Sequence, residues 1–263
     1  MINRSLSTGE GLAPNPKPLS IVPHNCLRSC DVFLALFKSV KEATTYPSLV
    51  VLQDRPVNKA HLPSFNGFKS FFPPVRKPRV AAYIHVSFRA LFSVLPRFGE
   101  LDHFLALDVS SLEPLFGTSF HSFRLINVYS TNTPDHWVHS VSPNTLFPTL
   151  DLPLLVVGDL NIYNPLSEQP LSCSPREIGS STPYFEKAAE AGFALLNPPG
   201  EYTRFPLVGK ARPSVIDLAF ANPLLLPMFK SWEISLPSTG SNHVPITINL
   251  APPTQISAPR RPR

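Results

Sequence analysis

Proline is the feature that most restricts how this chain can fold, because 32 of its 263 residues are proline. That share is about 12%, against about 5% in average proteins. A proline inside a helix removes a backbone hydrogen bond and clashes with the preceding turn, so long helices and coiled coils are excluded. Only 11 glycines are present, too few for a collagen repeat. Because 43% of the residues are hydrophobic, we expect a globular core of short elements joined by proline-rich turns.

The positive charges are few but clustered. The formal net charge is +5 and the isoelectric point is about 9.2, with basic clusters at residues 76–79, 204–212 and 260–263. One interpretation is an anionic partner such as nucleic acid, and the other is a set of charges that solubilises a charge-poor chain. Three cysteines, an odd number in a large core, favour a reducing compartment. No apolar run is long enough for a signal peptide or a membrane span, so we expect an intracellular protein without a membrane partner.

The chain divides into two terminal segments and one domain. Residues 1–19 are predicted to be a disordered leader and residues 251–263 a disordered basic tail, since both are rich in turn formers. Short apolar runs between turn formers predict strands at residues 19–24, 49–53, 80–86, 123–129, 154–158, 215–220 and 246–250. Apolar residues at three- and four-residue steps predict a helix over residues 27–40. A second helix is predicted to begin at Ser181-Thr182-Pro183 and to end at Gly192. This order predicts one sheet-rich α/β or α+β domain over residues 20–250.

The sharpest chemical pattern is Gly158-Asp159-Leu160-Asn161, which directly follows an apolar strand. Polar side chains at the end of a buried strand are presented at the surface by a loop. An ionised Asp can orient or deprotonate a water, and an Asn can hydrogen-bond a phosphate oxygen or that water. The alternative is a purely structural turn, which Asp and Asn also form readily.

Two later residues favour the chemical interpretation. Asp217 is the one carboxylate within an apolar strand, where burial of its charge requires a partner. His243 precedes the final strand. The partner of Asp217 is expected to be a histidine or an arginine, and a histidine oriented by an aspartate is suited to stabilise developing negative charge. Singly, Asp217 and His243 would more often be structural.

With these residues in place, the order of motifs resembles the endonuclease/exonuclease/phosphatase superfamily, which includes deoxyribonuclease I and the apurinic/apyrimidinic endonucleases. Within it, the chain is most closely similar to the endonuclease domain of non-LTR retrotransposons, as found in fungal genomes. The matching positions, over residues 20 to about 250, are Asn25, Gln53-Asp54, Asn127-Val128-Tyr129 with Asn132, Gly158-Asp159-Leu160-Asn161, Asp217 and Ser241-Asn242-His243.

The resemblance implies a four-layer α/β sandwich, in which two packed mixed β-sheets are flanked by helices. It also implies Mg²⁺-dependent hydrolysis of DNA phosphodiesters, with Mn²⁺ as the alternative ion. The implied metal residues are Asp54, Asn25 and Asn242, and the implied catalytic residues are Asp159, Asn161, His243, Asp217, Tyr129 and Asn132. DNA as the partner would suit a nuclear location, and a reverse transcriptase region would be a partner if the chain is a fragment of a longer element.

Two departures from the family pattern bear on activity. Asp54 replaces the family's metal-binding Glu, and Asn242 replaces the Asp of the Ser-Asp-His motif; Leu160 for Phe is only a packing change. The substitutions leave open a catalytically impaired remnant that only binds DNA, and a phosphoesterase for small molecules or lipids stays a further alternative. We also expect Arg204, Lys210 and Arg212 to contact DNA phosphates from the loop before Asp217, unless that loop is merely solvated.

Overall fold

The computed structural model describes residues 18–43, 45–56, 64–95, 101–111, 115, 118–131, 140–163, 174–206, 212–234 and 238–252. Its elements are, in chain order, β1 (Leu19–Asn25), α1 (Cys30–Glu42), β2 (Leu49–Gln53), β3 (Phe68–Phe71), β4 (Ala81–His85), β5 (Leu91–Val94), β6 (Phe104–Ser110), β7 (Ser122–Tyr129), α2 (Pro143–Leu146), β8 (Leu154–Asp159), α3 (Pro175–Glu190), β9 (Ala194–Leu195), β10 (Asp217–Ala221), a 3-10 turn (Leu226–Met228), β11 (Phe229–Ile234) and β12 (Ile246–Leu250).

The strands form two six-stranded mixed sheets of similar design. The first sheet has the order β11-β12-β1-β2-β4-β3 and the second has the order β5-β6-β7-β8-β10-β9. Each sheet has one parallel pair near its centre, β1–β2 in the first and β7–β8 in the second. The other pairs are antiparallel. Both parallel pairs therefore end their strands side by side.

Along each central strand, successive side chains point alternately to the core between the sheets and to the helices outside. In β2, Leu49 and Val51 belong to the core between the sheets, whereas Val50 and Leu52 face outward and pack with α1. In β8, Leu155 and Val157 face the inner core, while Leu154 and Val156 pack with side chains of α2 and α3. A strand covered on both faces needs no polar alternation, which explains its continuous apolar sequence. The predicted sandwich of two packed sheets flanked by helices is confirmed.

Several predicted boundaries are wrong. Leu19, which the predictions placed both at the end of the leader and at the start of the first strand, is the first residue of β1 and pairs with Leu250. The helix α3 begins at Pro175 rather than near Ser181, because Ser174 and Glu177 form a capping box at its start. It continues through Pro183, where the missing N–H removes a single helical hydrogen bond. The rest of the predicted leader up to residue 17, and of the tail from residue 253, lies outside the described residues.

The helices of the described segments are short. None of them combines the length and the apolar character that crossing a membrane requires.

Candidate active site

The candidate site lies where the central strands of both sheets end. β1 and β2 end side by side, with Asn25 opposite Gln53, and β7 and β8 end with Tyr129 opposite Asp159. β10 begins at the same edge, with Asp217 opposite Asp159. Open α/β sheets bind ligands outside the carboxyl ends of their strands. The polar residues predicted from separate motifs are therefore brought together at one edge.

Asp159 is held by two asparagines. Asn25 Nδ2 donates to Asp159 Oδ2 at 2.7 Å, a bond that joins the first sheet to the second. The backbone N–H of Asn161 donates to Asp159 Oδ1 at 3.1 Å, and Asn161 Nδ2 donates to the carbonyl of Ser130 at 2.8 Å. Asn161 has a φ of 50°, a left-handed conformation in which asparagine is enriched. Both carboxylate oxygens of Asp159 thus have a fixed donor.

Asp159, Asp217 and His243 form a buried group. Each residue is at most 5% exposed, and their ligand-type atoms all lie within 4.8 Å of one another. His243 Nδ1 lies 2.8 Å from Asp217 Oδ2. Nδ1 is the donor, because an ionised carboxylate can only accept. His243 Nε2 lies 3.9 Å from Asp159 Oδ2. Of the two kinds of partner expected for Asp217, a histidine or an arginine, the structure places His243 there.

The buried group has perturbed acidities. Burial and, to a lesser extent, the negative charge of Asp217 raise the pKa of Asp159 to about 7, although His243 and the two asparagines oppose the rise. For His243, burial lowers the pKa, but Asp217 and Asp159 outweigh burial and the pKa is raised. Asp159 can therefore take up or release a proton near neutral pH, beside an imidazole that favours its charged form.

The segment before β12 is tied to β1. Ser241 Oγ donates to the carbonyl of Asn25 at 3.0 Å and accepts from the backbone N–H of His243 at 3.0 Å. Arg204 forms an isolated β-bridge with His243, which places a basic residue beside the buried group. Asn242 Oδ1 is buried and lacks a hydrogen-bond partner among the described residues.

Asp54, beside the end of β2, is paired with two arginines. Its Oδ1 accepts from Arg28 Nε at 3.0 Å, from Arg79 Nε at 3.1 Å and from Arg79 Nη2 at 2.5 Å. The guanidinium carbon of Arg79 lies 4.2 Å from the ring centroid of Tyr129. Burial, together with the charges of Asp54 and Asp159, raises the pKa of Tyr129 to about 12, although Arg79 opposes the rise. Tyr129 therefore stays protonated at neutral pH.

Three solved structures with the same architecture are described as nucleases. An AP endonuclease from Leishmania major, LMAP, superposes with a TM-score of 0.72 at 14% identity, over 90% of this chain and 89% of that one. The endonuclease domain of TRAS1, a telomere-specific non-LTR retrotransposon, gives a TM-score of 0.64 at 14% identity, over 89% and 99%. A 3′-5′ exonuclease from Neisseria meningitidis, NExo, gives 0.60 at 18% identity, over 89% and 100%. This chain has the deoxyribonuclease I-like fold. Neither a protein-family model nor a curated protein sequence matches it.

Within the deoxyribonuclease I-like fold, most residues singled out in the sequence gather at one edge. Asn25, Asp159, Asn161, Asp217 and His243 are linked by the contacts above. Tyr129 and Asp54 lie beside them, Asn242 is part of the segment that carries His243, and Arg204 adjoins that segment. Arg212 is exposed and lies shortly before β10. Asn132 and Lys210 lie outside the described residues.

The buried group has the chemistry of a divalent metal site. It offers two carboxylates and an imidazole, and Asp217 Oδ1 is a buried oxygen without a hydrogen-bond partner in the described part of the chain. Asn242 Oδ1 is a second such oxygen. Unpartnered buried oxygens are costly unless a ligand satisfies them. These residues fit a metal ion, and oxygen donors of this kind are the ones that Mg²⁺ prefers.

Sequence reasoning missed three residues of this edge. Arg79 belongs to the basic cluster at residues 76–79, which was a usable indication of its role. His24 directly precedes Asn25 and Arg28 follows it by three residues, but neither residue matches a catalytic pattern. His24 lies in β1 and its Nε2 shares a hydrogen bond of 2.9 Å with Thr239 Oγ1. Their contributions follow from the pairing of strands that are distant in the chain but adjacent in the first sheet.

Proposed function

We propose that this chain hydrolyses phosphodiester bonds in DNA with the help of a bound divalent cation. The observation that carries the proposal is the buried Asp159–Asp217–His243 group at the strand ends of a fold shared with nucleases. DNA is the proposed substrate because the structural neighbours are described as an AP endonuclease, a retrotransposon endonuclease and a 3′-5′ exonuclease. The positive net charge agrees with an anionic substrate.

Asp159 is the proposed proton acceptor for the attacking water. Its pKa of about 7 lets it be ionised at and above neutral pH and still accept a proton effectively. Asn25 and Asn161 hold its two oxygens in place, so the carboxylate does not need to reorient during the reaction. Preorganisation of this kind lowers the cost of the transition state.

His243 is the proposed stabiliser of negative charge on the phosphate. The Asp217 carboxylate fixes the imidazole through Nδ1 and leaves Nε2 for the substrate side. The raised pKa of His243 favours the imidazolium, whose charge complements the charge that develops on the phosphate oxygens. Tyr129, protonated and next to Asp159, is a candidate hydrogen-bond donor to the same phosphate.

A divalent cation would be held at this group by Asp159 and by the unpartnered oxygens of Asp217 and Asn242. Such an ion neutralises phosphate charge as a Lewis acid. Mg²⁺ is proposed because carboxylate and amide oxygens dominate the donor set, and Mn²⁺ is the alternative. A nuclear location and a reverse transcriptase partner remain proposals that follow from the resemblance to retrotransposon endonucleases.

The experiment is nicking of supercoiled plasmid by purified protein, with Mg²⁺ and with EDTA. We expect Mg²⁺-dependent nicking that falls about 10²–10³-fold in Asp159→Asn and in His243→Gln, the range for loss of one preorganised polar group. Asp151→Asn, which removes an exposed carboxylate upstream of β8, is the control and should retain wild-type activity. DNA binding and thermal unfolding of each variant, measured alongside, separate lost chemistry from lost fold.

Nicking that survives in Asp159→Asn, or that persists in EDTA, would contradict the proposal. If the protein hydrolyses a phosphoinositide but not DNA, the substrate class is a lipid phosphoester rather than DNA. These outcomes are distinguishable in one set of assays with the same protein preparations.

A second candidate is a domain that binds DNA without cleaving it. Asn242 favours it, because the neutral amide lacks the charge that the family's aspartate brings to this position. If the wild-type protein binds DNA but does not nick it, Asn242→Asp should restore Mg²⁺-dependent nicking. A folded, DNA-binding and still inactive Asn242→Asp protein would show that other changes silence the site.

A further inference from the structure

Asp54 carries two positive partners on one carboxylate oxygen. Arg28 and Arg79 both donate to Oδ1, while the Asp54 side chain is 11% exposed. One carboxylate oxygen faces two permanent positive charges, and the negative charge of Asp102 also acts on Arg28. Guanidinium groups with free N–H donors at the edge of a catalytic group are suited to an anionic ligand.

Arg79 is the fixed member of the pair. Its side chain is 13% exposed, its Nε and Nη2 both bond Asp54, and its guanidinium lies over the Tyr129 ring. Stacking and a two-point contact with a carboxylate hold the planar guanidinium in one orientation. Its charge is therefore preorganised beside Tyr129, the strand neighbour of Asp159.

Arg28 is the accessible member. Its side chain is 57% exposed, and within the described residues its bond to Asp54 uses only Nε. Its backbone N–H donates to the Asp54 carbonyl at 2.6 Å, which fixes the start of the side chain. A guanidinium has five N–H donors, so both terminal nitrogens of Arg28 remain for a ligand.

We propose that Arg28 and Arg79, held by Asp54, form a binding site for a phosphate of the DNA backbone next to the cleavage centre. The inference rests on the proposed function and deepens it by adding a phosphate subsite. Asp54 follows Gln53, the register partner of Asn25, and Asn25 bonds Asp159 directly. The pair therefore lies beside the strand ends that carry the catalytic group, and Arg79 stacks on Tyr129, the strand neighbour of Asp159.

This arrangement assigns Asp54 a role different from metal binding. A cation at Asp54 would lie close to two guanidinium groups that already bond the carboxylate, and like charges at that distance repel. Asp54 acts as a positioning residue for the arginines, and the metal donors are those around Asp159. The positive charge that the resemblance assigns to a metal at this position is supplied by Arg28 and Arg79.

The first test measures binding of a fluorescein-labelled DNA duplex by fluorescence anisotropy in EDTA, so that cleavage does not interfere. Arg28→Ala should weaken binding about tenfold, the size expected for a charge-assisted hydrogen bond. It should also reduce the slope of log K against log salt by about one, as for loss of one phosphate contact.

The matched control is Arg124→Ala. Arg124 also bonds an aspartate, Asp108, through Nε and Nη2, but it lies near the opposite end of β7 and should leave both quantities unchanged.

The second test measures Mn²⁺ binding directly, by electron paramagnetic resonance of the free ion. Asp54→Asn should keep the wild-type affinity within about twofold, whereas Asp159→Asn should lose at least about tenfold, as for removal of a charged ligand. Loss of Mn²⁺ affinity in Asp54→Asn equal to that in Asp159→Asn would overturn the positioning role of Asp54. Arg28→Ala binding DNA with the wild-type affinity and salt slope would overturn the phosphate site.

The proposed hydrolysis and the proposed phosphate site can be refuted independently of each other. Arginine-dependent DNA binding by a protein that never nicks DNA would refute the proposed hydrolysis and support the phosphate site. Metal-dependent nicking with DNA binding that is insensitive to Arg28 would do the reverse.

Discussion

His24 shows how one buried side chain couples the candidate site to the stability of the protein. It is 2% exposed in β1, and its Nε2 shares a hydrogen bond with Thr239 Oγ1. Burial lowers its pKa to about 4, with Asp217 raising it and His243 lowering it by lesser amounts. His24 is therefore neutral in the folded protein at neutral pH, although the charges of Asp217 and His243 act on it.

This lowered pKa predicts a specific loss of stability in acid. A group with a folded pKa near 4 and an ordinary value of 6.5 contributes stability that is fully present above pH 6.5. That stability is lost as the pH falls toward 4. Between pH 7 and pH 5 the loss is about 1–2 kcal/mol. His24→Gln cannot titrate, so its free energy of unfolding should fall less over this interval in urea titrations.

His85→Gln, which removes a histidine of β4, is the control and should follow the wild-type pH profile. An acid loss in His24→Gln as steep as in the wild-type protein would show that His24 is not the group responsible.

At the scale of elements, the pairing of β7 with β8 determines where Asp159 lies. Gly158 precedes Asp159 and has a φ of 148°, and a Cβ at this position would lie 1.9 Å from the carbonyl oxygen of Val128. The strands therefore approach so closely that only glycine fits. The glycine of the Gly-Asp-Leu-Asn motif is explained by this contact between backbones.

Gly158→Ala is therefore expected to push β8 away from β7. We predict destabilisation by at least about 2 kcal/mol, the range for a steric clash combined with unfavourable backbone geometry, together with loss of nicking as Asp159 shifts. Gly179→Ala in α3 is the matched control, because a Cβ there meets no atom within 4 Å. It should stabilise the protein by up to about 1 kcal/mol. The stabilities of both variants are measured by thermal and urea unfolding. Equal stabilities would exclude the steric explanation.

At the scale of the whole molecule, a buried amide pair joins the two sheets below the site. Asn127 of β7 is fully buried, and its Oδ1 accepts from Gln53 Nε2 at 2.5 Å. Its Nδ2 donates to the carbonyls of Leu52 and Ala81 in the other sheet, at 3.0 and 3.1 Å. The inner core between the sheets is otherwise apolar around these contacts, so the amide pair fixes how one sheet is placed on the other.

Removing this link should cost more than removing an amide at the edge. Asn127→Ala removes the buried hydrogen bonds to Gln53 and to two backbone carbonyls, for which we predict a loss of about 2–4 kcal/mol in the free energy of unfolding. The control is Asn249→Ala, which removes a partly exposed amide bonded to Ser231 within one sheet and should cost less than about 1 kcal/mol. Similar losses in the two variants, measured by urea unfolding, would contradict a special role for the inter-sheet amide.

The sequence predicted the central strands well because their two-sided burial requires continuous apolar runs. Seven predicted strands correspond to β1, β2, β4, β7, β8, β10 and β12. The five others are β3, β5, β6, β9 and β11. Of these, β3 and β5 are short strands at sheet edges with exposed residues, where local sequence has little to distinguish a strand from a loop. The start of α3 was misplaced because Pro183 resembles a first-turn proline, although Ser174 and Glu177 supply the real cap.

By itself, the sequence determined the order of the strands that end in polar residues and the types of residue placed there. Asp159, Asp217 and His243 were predicted to act together, and the structure brings them within reach of one another. Only the tertiary structure decided the partners of Asp54. Arg28 and Arg79 come from separate loops, and whether a charge meets a metal, a phosphate or another charge depends on distances of a few ångströms between segments. Those distances are set by the order in which β1, β2 and β4 pair within the first sheet, which no local pattern in the chain encodes.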